Sequence, residues 1–190
     1  MVSRSTLPHI LVCAGSVTEW AATDAEQWKK RLALLAQAAQ RGEAEWVTLV
    51  PYGPGAVSQV EQLRATLCDQ CGGEPYADRI IVLGEHGVTV IVDLCADGQE
   101  RIARAASKIG ASHITEQRLA ATISAPAPGE PDLVVVLGSA VDIPPSLVWE
   151  LAYAEIVFLD APWSGLDAEH LEMAIDDFAR RDRRFGGIDS

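Results

Sequence analysis

Leu133-Val-Val-Val-Leu137 is an uninterrupted apolar run, preceded by Pro131-Asp132 and stopped by Gly138. So short a run, rich in β-branched residues and without polar alternation, reads as a strand covered on both faces, as in the middle of a parallel sheet. Upstream, Ala125-Pro-Ala-Pro-Gly129 is a brief loop, too short to separate two domains. Before it, Asp97 caps a helix carrying Ile102, Ala105, Ala106 and Ile109, and Thr115 caps a shorter one through Leu119 and Ile123. Downstream, Ser146 to Ala154 reads as a helix and Ile156-Val-Phe-Leu159 as a last strand. Asp167 then caps a final helix through Leu171, Ala174, Ile175 and Phe178.

The N-terminal half repeats this alternation. His9-Ile-Leu-Val-Cys13 reads as a buried strand, and Thr23-Asp-Ala-Glu26 as a capping box before the helical face Trp28, Leu32, Leu35 and Ala39. Trp46-Val-Thr-Leu-Val50 is a second strand, stopped by Pro51. Ser58 and Glu61 suggest another capping box, with Val60, Leu63 and Leu67 turned to the core. Arg79 to Leu83 and Val88 to Val92 are strands around the turn Gly84 to Gly87. The expected fold is one α/β domain over residues 1–190, a central mostly parallel sheet flanked by helices.

The chain of 190 residues is 48% hydrophobic, enough for a sizeable core, and carries a formal net charge of −12. Such a field repels nucleic acid and anionic membranes. Against it, Arg180, Arg181, Arg183 and Arg184 are concentrated near the C-terminus. No apolar run approaches the ~20 residues that span a bilayer, and residues 1–8 lack the apolar centre of a signal peptide. A cytoplasmic protein is expected, in which Cys13, Cys68, Cys71 and Cys95 remain thiols. Cys68-Asp-Gln-Cys71 is a lone pair at the end of a helical stretch, without the further ligands of a zinc site.

Pro131-Asp-Leu-Val134, Leu147-Val-Trp149, Ala152-Tyr-Ala-Glu155, Phe158, Trp163 and Arg183-Arg-Phe-Gly-Gly187 together resemble the undecaprenyl diphosphate synthases and other cis-prenyltransferases. Pro8-His9-Ile10 and Trp20-Ala21 add a weaker match around the first strand. The resemblance implies a reaction in which isopentenyl diphosphate is condensed onto an allylic diphosphate to give a Z-polyprenyl diphosphate. It also implies an Asp-Gly-Asn-Gly-Arg loop after the first strand, whose Asp holds Mg²⁺. That stretch here is Gly15-Ser16-Val17-Thr18-Glu19. A metal ligand has become glycine, and a cation facing phosphate has become Glu19. Further on, the arginine after Asp-Leu-Val-Ile falls on Val136, and the Arg-x-Ser that holds isopentenyl diphosphate falls on Asp142 and Pro144. Asp97-Gly98-Gln99 stands where the enzymes carry Gly-Gly-Arg.

Two implied features survive. Glu155 matches an acid placed near the metal across a dimer interface. Arg184 and Gly186 match an Arg-x-Gly tail that reaches isopentenyl diphosphate in the neighbouring subunit. This pattern resembles the Nogo-B receptor type, the non-catalytic subunit of two-component cis-prenyltransferases. The expectation is an accessory chain with no metal of its own and Trp149, Tyr153 and Trp163 at an interface. Its partner is a catalytic subunit, or a second copy in a homodimer, and that partner supplies Mg²⁺ and the substrate-binding arginines. Peripheral contact with a membrane is left open by the lipid product. Two alternatives stay beside this one: a divergent active transferase using Asp93, Asp97 or Asp160, and a scaffold that has lost the chemistry. Structurally, Glu155 also reads as the partner of an arginine, and the arginine cluster as a solvated helix end.

Overall fold

The computed structural model describes residues 7–84, 87–138, 142–152 and 154–185, with the backbone alone at 112 and 182–185. One seven-stranded sheet runs in the order β3-β4-β5-β2-β1-β6-β7. Its strands are β1 (His9–Cys13), β2 (Trp46–Val50), β3 (Glu74–Tyr76), β4 (Arg79–Leu83), β5 (Thr89–Asp93), β6 (Leu133–Leu137) and β7 (Glu155–Leu159). β5, β2, β1, β6 and β7 are mutually parallel, whereas β3 and β4 run antiparallel at one edge. β1 lies between β2 and β6, with Val12 level with Leu49 on one side and Val135 on the other. Both β1 and β6 are buried along their whole length, as the apolar run of β6 requires.

Helices α2 (Ala25–Arg41) and α6 (Ala168–Phe185) cover one face. There Trp28, Leu32, Leu35, Leu171 and Ala174 pack on Ile10, Val12, Leu49 and Val135. The other face has a smaller apolar core of Leu11, Cys13, Val50, Val134, Val136 and Leu147. It is covered by α4 (Gly98–Ile109), α5 (Glu116–Ser124) and the connection between β6 and β7. Polar side chains are also buried on this side. The His9 ring joins the Gly129 carbonyl at 2.9 Å and the Thr48 hydroxyl at 2.8 Å.

Several local expectations change. Asp24, not Thr23, caps α2, accepting from the Gln27 amide at 2.8 Å, while the Thr23 hydroxyl donates to the Glu19 carbonyl. Helix α3 (Val57–Ala65) begins before Ser58, and its first turn is closed by the Ala56 amide donating to Gln59 Oε1 at 2.8 Å. The stretch 146–154 is not a regular helix. Short 3₁₀ turns occupy Pro145–Leu147 and Glu150–Ala152, where Arg101 from α4 reaches the Ser146 carbonyl and the inward-turned Glu150 carboxylate. The pair Cys68 and Cys71 does close a helical stretch, in and just after a π turn at Thr66–Gln70, and both are free thiols. Among the described residues, no helix is long and apolar enough to cross a membrane.

Candidate functional site

In open α/β sheets, ligands lie beyond the C-terminal ends of the parallel strands. At that edge the loops after β1, β2 and β6 meet on Tyr52. Its amide donates to the Gly15 carbonyl, and its hydroxyl donates to the Asp142 carbonyl at 2.8 Å. The Val17 amide donates to the Gly53 carbonyl at 2.9 Å and continues this join. Tyr52 was missed in the sequence, where its position directly after Pro51 at a strand end was the available signal.

Gly15 has φ +63°, and a Cβ built there would fall 2.9 Å from Trp163 Cγ. Next to it, Ser16 caps a short helix α1 (Val17–Ala21) that the sequence reading did not separate out. Glu19 completes a capping box: its Oε2 accepts from the Ser16 amide at 2.7 Å and from the Ser16 hydroxyl at 2.9 Å. The indole of Trp20 donates to the Ala14 carbonyl at 2.9 Å, and that of Trp28 to the Trp20 carbonyl at 3.1 Å. Trp20, Trp28 and Trp163 form a triangle with ring centroids 5.6–5.8 Å apart. The Arg31 guanidinium lies 4.3 Å above the Trp163 ring.

Trp163, expected at an interface, is a core residue of its own chain. It is 3% exposed and packs with α1 and α2 of its own chain. Trp149 is half-buried, and its indole donates to Glu130. Tyr153, Gly186 and Gly187 lie outside the described residues, while Arg184 belongs to the last turn of α6. Val136 is fully buried within β6, and Asp142 is exposed in the following loop; Pro144 is buried at the start of the first 3₁₀ turn.

Glu155, expected to act across a dimer interface, stands apart from Gly15 within its own chain. It starts β7, level with Leu133, whereas Gly15 follows the far end of β1. At the rise of a strand the two are roughly 15 Å apart along the sheet. The Glu155 carboxylate pairs instead with Arg181 at 3.1 Å, and Arg181 also pairs with Asp177 at 2.6 Å. The other acids are likewise engaged or dispersed. Asp93 is buried between Arg79 at 2.9 Å and Arg101 at 3.3 Å, Asp97 caps α4, and Asp160 is exposed beyond β7. Among the described residues, no group of three His, Cys, Asp or Glu side chains is placed to hold a metal. Mg²⁺ needs hard oxygen ligands. The β1 loop does not fit it, since Gly15 offers no side-chain oxygen and Glu19 is turned onto Ser16. A cleft of about 450 Å³ opens beside α1, its lining including Val17, Val60 and Leu94 together with Arg64, Arg104 and the acids Asp78, Asp97 and Glu100.

The family model described as "Putative undecaprenyl diphosphate synthase" matches residues 78–186, more than half of the chain. The chain belongs to the undecaprenyl diphosphate synthase family. Family members similar to it include the isoprenyl transferase of Neisseria meningitidis serogroup A, 37% identical over 103 residues, or 53% of this chain and 42% of that protein. Another is the trans,polycis-polyprenyl diphosphate synthase of Thermobifida fusca, 35% identical over 118 residues, or 56% of this chain and 42% of that one. The matches thus span less than half the length of these synthase relatives. In fold, the chain resembles the lavandulyl diphosphate synthase of Lavandula x intermedia, with a TM-score of 0.59 at 14% identity over 92% of this chain and 95% of that one. The family match begins after the Gly15 loop, so it covers β4 to α6 and leaves β1, α1 and Trp28 outside.

Proposed function

We propose that this family member is a non-catalytic accessory subunit of a heteromeric cis-prenyltransferase. The observation that carries the reading is the packing at Gly15. The position that would hold a metal-binding carboxylate is left-handed in backbone and covered by Trp163, and the neighbouring acid closes a helix cap. A catalytic partner supplies Mg²⁺ and the arginines for both diphosphates, and this chain adds Arg184 and Gly186 in trans.

The surface supports a partner. Among the described residues β7 is an edge strand whose Ile156 and Phe158 are only half-covered, and Ile143, Val148 and Leu151 are exposed in the connection before it. Parallel strands ordinarily have both faces covered. The test is incorporation of labelled isopentenyl diphosphate with farnesyl diphosphate and Mg²⁺, using the chain alone and with an active family prenyltransferase from the same host. Stimulation only in the mixture is the expected result. Turnover by the chain alone would overturn the reading.

A further inference from the structure

Four cations converge on one small cavity in a chain whose formal net charge is −12. The cavity, of about 230 Å³, lies between the β3–β4 hairpin, α4 and the end of α5. Arg79, Arg101, Arg104 and Lys108 line it with the acids Asp78 and Asp93, and Ala105, Ile123 and Ala125 supply apolar wall. None of its lining residues belongs to the loops after β1, β2 or β6, so it is separate from the site around Gly15 and Tyr52. Ordinary ligand pockets run from roughly 300 Å³ upward, so this one takes a small molecule.

The four cations are not equally committed. Arg79 is spent on Asp93 and on the Ile123 and Ala125 carbonyls. Arg101 is spent on Glu150, Asp93 and the Ser146 carbonyl. Arg104 and Lys108, neighbours one turn apart on α4, are about half exposed. Arg104 Nη2 pairs with Glu100 at 2.6 Å, on its own helix. Arg104 Nη1 and Lys108 Nζ both meet a single oxygen, Asp78 Oδ2, at 3.6 and 3.4 Å. Both distances exceed the roughly 2.8 Å of a close charge-assisted bond.

The turn that presents Asp78 is itself held. Ala77 and Asp78 are the two residues between the paired Tyr76 and Arg79, and Ala77 has φ +52°, where glycine is the usual residue. The Asp78 carbonyl accepts from Arg64 at 3.2 Å. The backbone is anchored, and the half-exposed carboxylate is the part able to swing away.

We propose that this cavity binds a small phosphate monoester through Arg104 and Lys108, and that the Asp78 carboxylate competes for the same position. One carboxylate oxygen serves two cations poorly. A phosphate brings three acceptor oxygens and nearly two charges, so it engages both at once. The apolar wall takes the ester group. This site stands independently of the accessory-subunit reading.

The test is titration of the full chain with phenyl phosphate at fixed ionic strength, followed by amide chemical shifts. Shifts are expected at 77–79 and 104–108 and not at 15–19. Asp78→Asn, which removes the competing charge, tightens binding roughly threefold to fivefold, the upper range for an exposed ion pair. Arg104→Gln combined with Lys108→Gln weakens it by about tenfold or more, as expected for lost charge-assisted bonds. These changes fall on side chains that are about half exposed, so the fold is retained. Benzoate, with a single charge, binds more weakly than phenyl phosphate. Absence of binding by Asp78→Asn overturns the site, as does full affinity in the double glutamine variant. Shifts confined to 15–19 overturn it by placing the anion in the β1 loop. Equal affinity of Asp78→Asn and wild type overturns the competing role of Asp78, and equal affinity for benzoate overturns the phosphate preference.

Discussion

The indole of Trp163 occupies the space that any side chain at Gly15 would enter: a Cβ on Gly15 would meet its Cγ at 2.9 Å. The two are 148 positions apart in sequence (163 − 15), yet they close the C-terminal end of the central strand together. Replacing Gly15 with Asp therefore strains the left-handed backbone and displaces a buried ring. Gly15→Asp should cost about 2–3 kcal/mol, from backbone strain plus overpacking. Urea denaturation measures this. An unchanged midpoint would show that the ring yields freely and would remove the packing argument at this position.

Glu19 acts on the Ser16 cap in the structure. Glu19→Ala should lower stability by about 1 kcal/mol, the usual scale for a lost cap interaction. Glu19→Gln retains an acceptor and should lose less. If both variants unfold at the wild-type urea concentration, the capping box contributes nothing.

His9 gives the chain a pH dependence. Burial is the main cause that lowers its pKa to about 4; the nearby Arg79 charge adds to this and the bond to Gly129 opposes it. In the unfolded chain it titrates near about 6.5. The unfolded state thus binds more protons between these values, so the contribution to stability is complete above about pH 6.5 and is lost as pH falls toward 4. The difference is on the order of 3 kcal/mol. Thermal unfolding between pH 4 and 7.5 should show this slope in the wild type and a flatter one in His9→Leu. Parallel curves would assign the acid sensitivity to other groups.

Arg184 tests the proposed contribution in trans. Losing one charge-assisted hydrogen bond to diphosphate corresponds to roughly 1.5–3 kcal/mol, or about a tenfold to hundredfold loss of rate. Arg184→Ala should slow the assembled enzyme by that factor and leave assembly intact by light scattering. A normal rate would take the tail out of the mechanism.

The strands were legible wherever local pattern decides. The apolar runs at 9–13, 46–50 and 133–137 became strands at those bounds, β5 shifted by one residue, and β7 gained one residue at its start. The strand β3 escaped because Glu74-Pro75-Tyr76 is short and exposed and carries proline at a sheet edge. Helix α1 had its signal in Ser16-x-x-Glu19, which the family pattern overrode. What sequence could not carry was long-range. The burial of Trp163 depends on Trp20 and Trp28, and the loss of helix at 146–154 depends on Arg101 reaching Ser146 and Glu150. Neither partner is visible from a local window.

The register of β1 bears on synthesis. His9–Cys13 is an early part of the sheet to leave the ribosome, yet one of its two neighbours, Leu133–Leu137, is made more than 120 residues later. Until then one edge of the strand has no mate, and its apolar side chains await the helices that cover them. The portion that carries the family likeness is incomplete in the converse sense. Residues 78–186 include β4 to β7 but lack β1 and β2, which join β5 to β6 through the middle of the sheet. Cut out alone, that portion would be two sheet fragments with a gap between them, because the two strands that join them lie outside it.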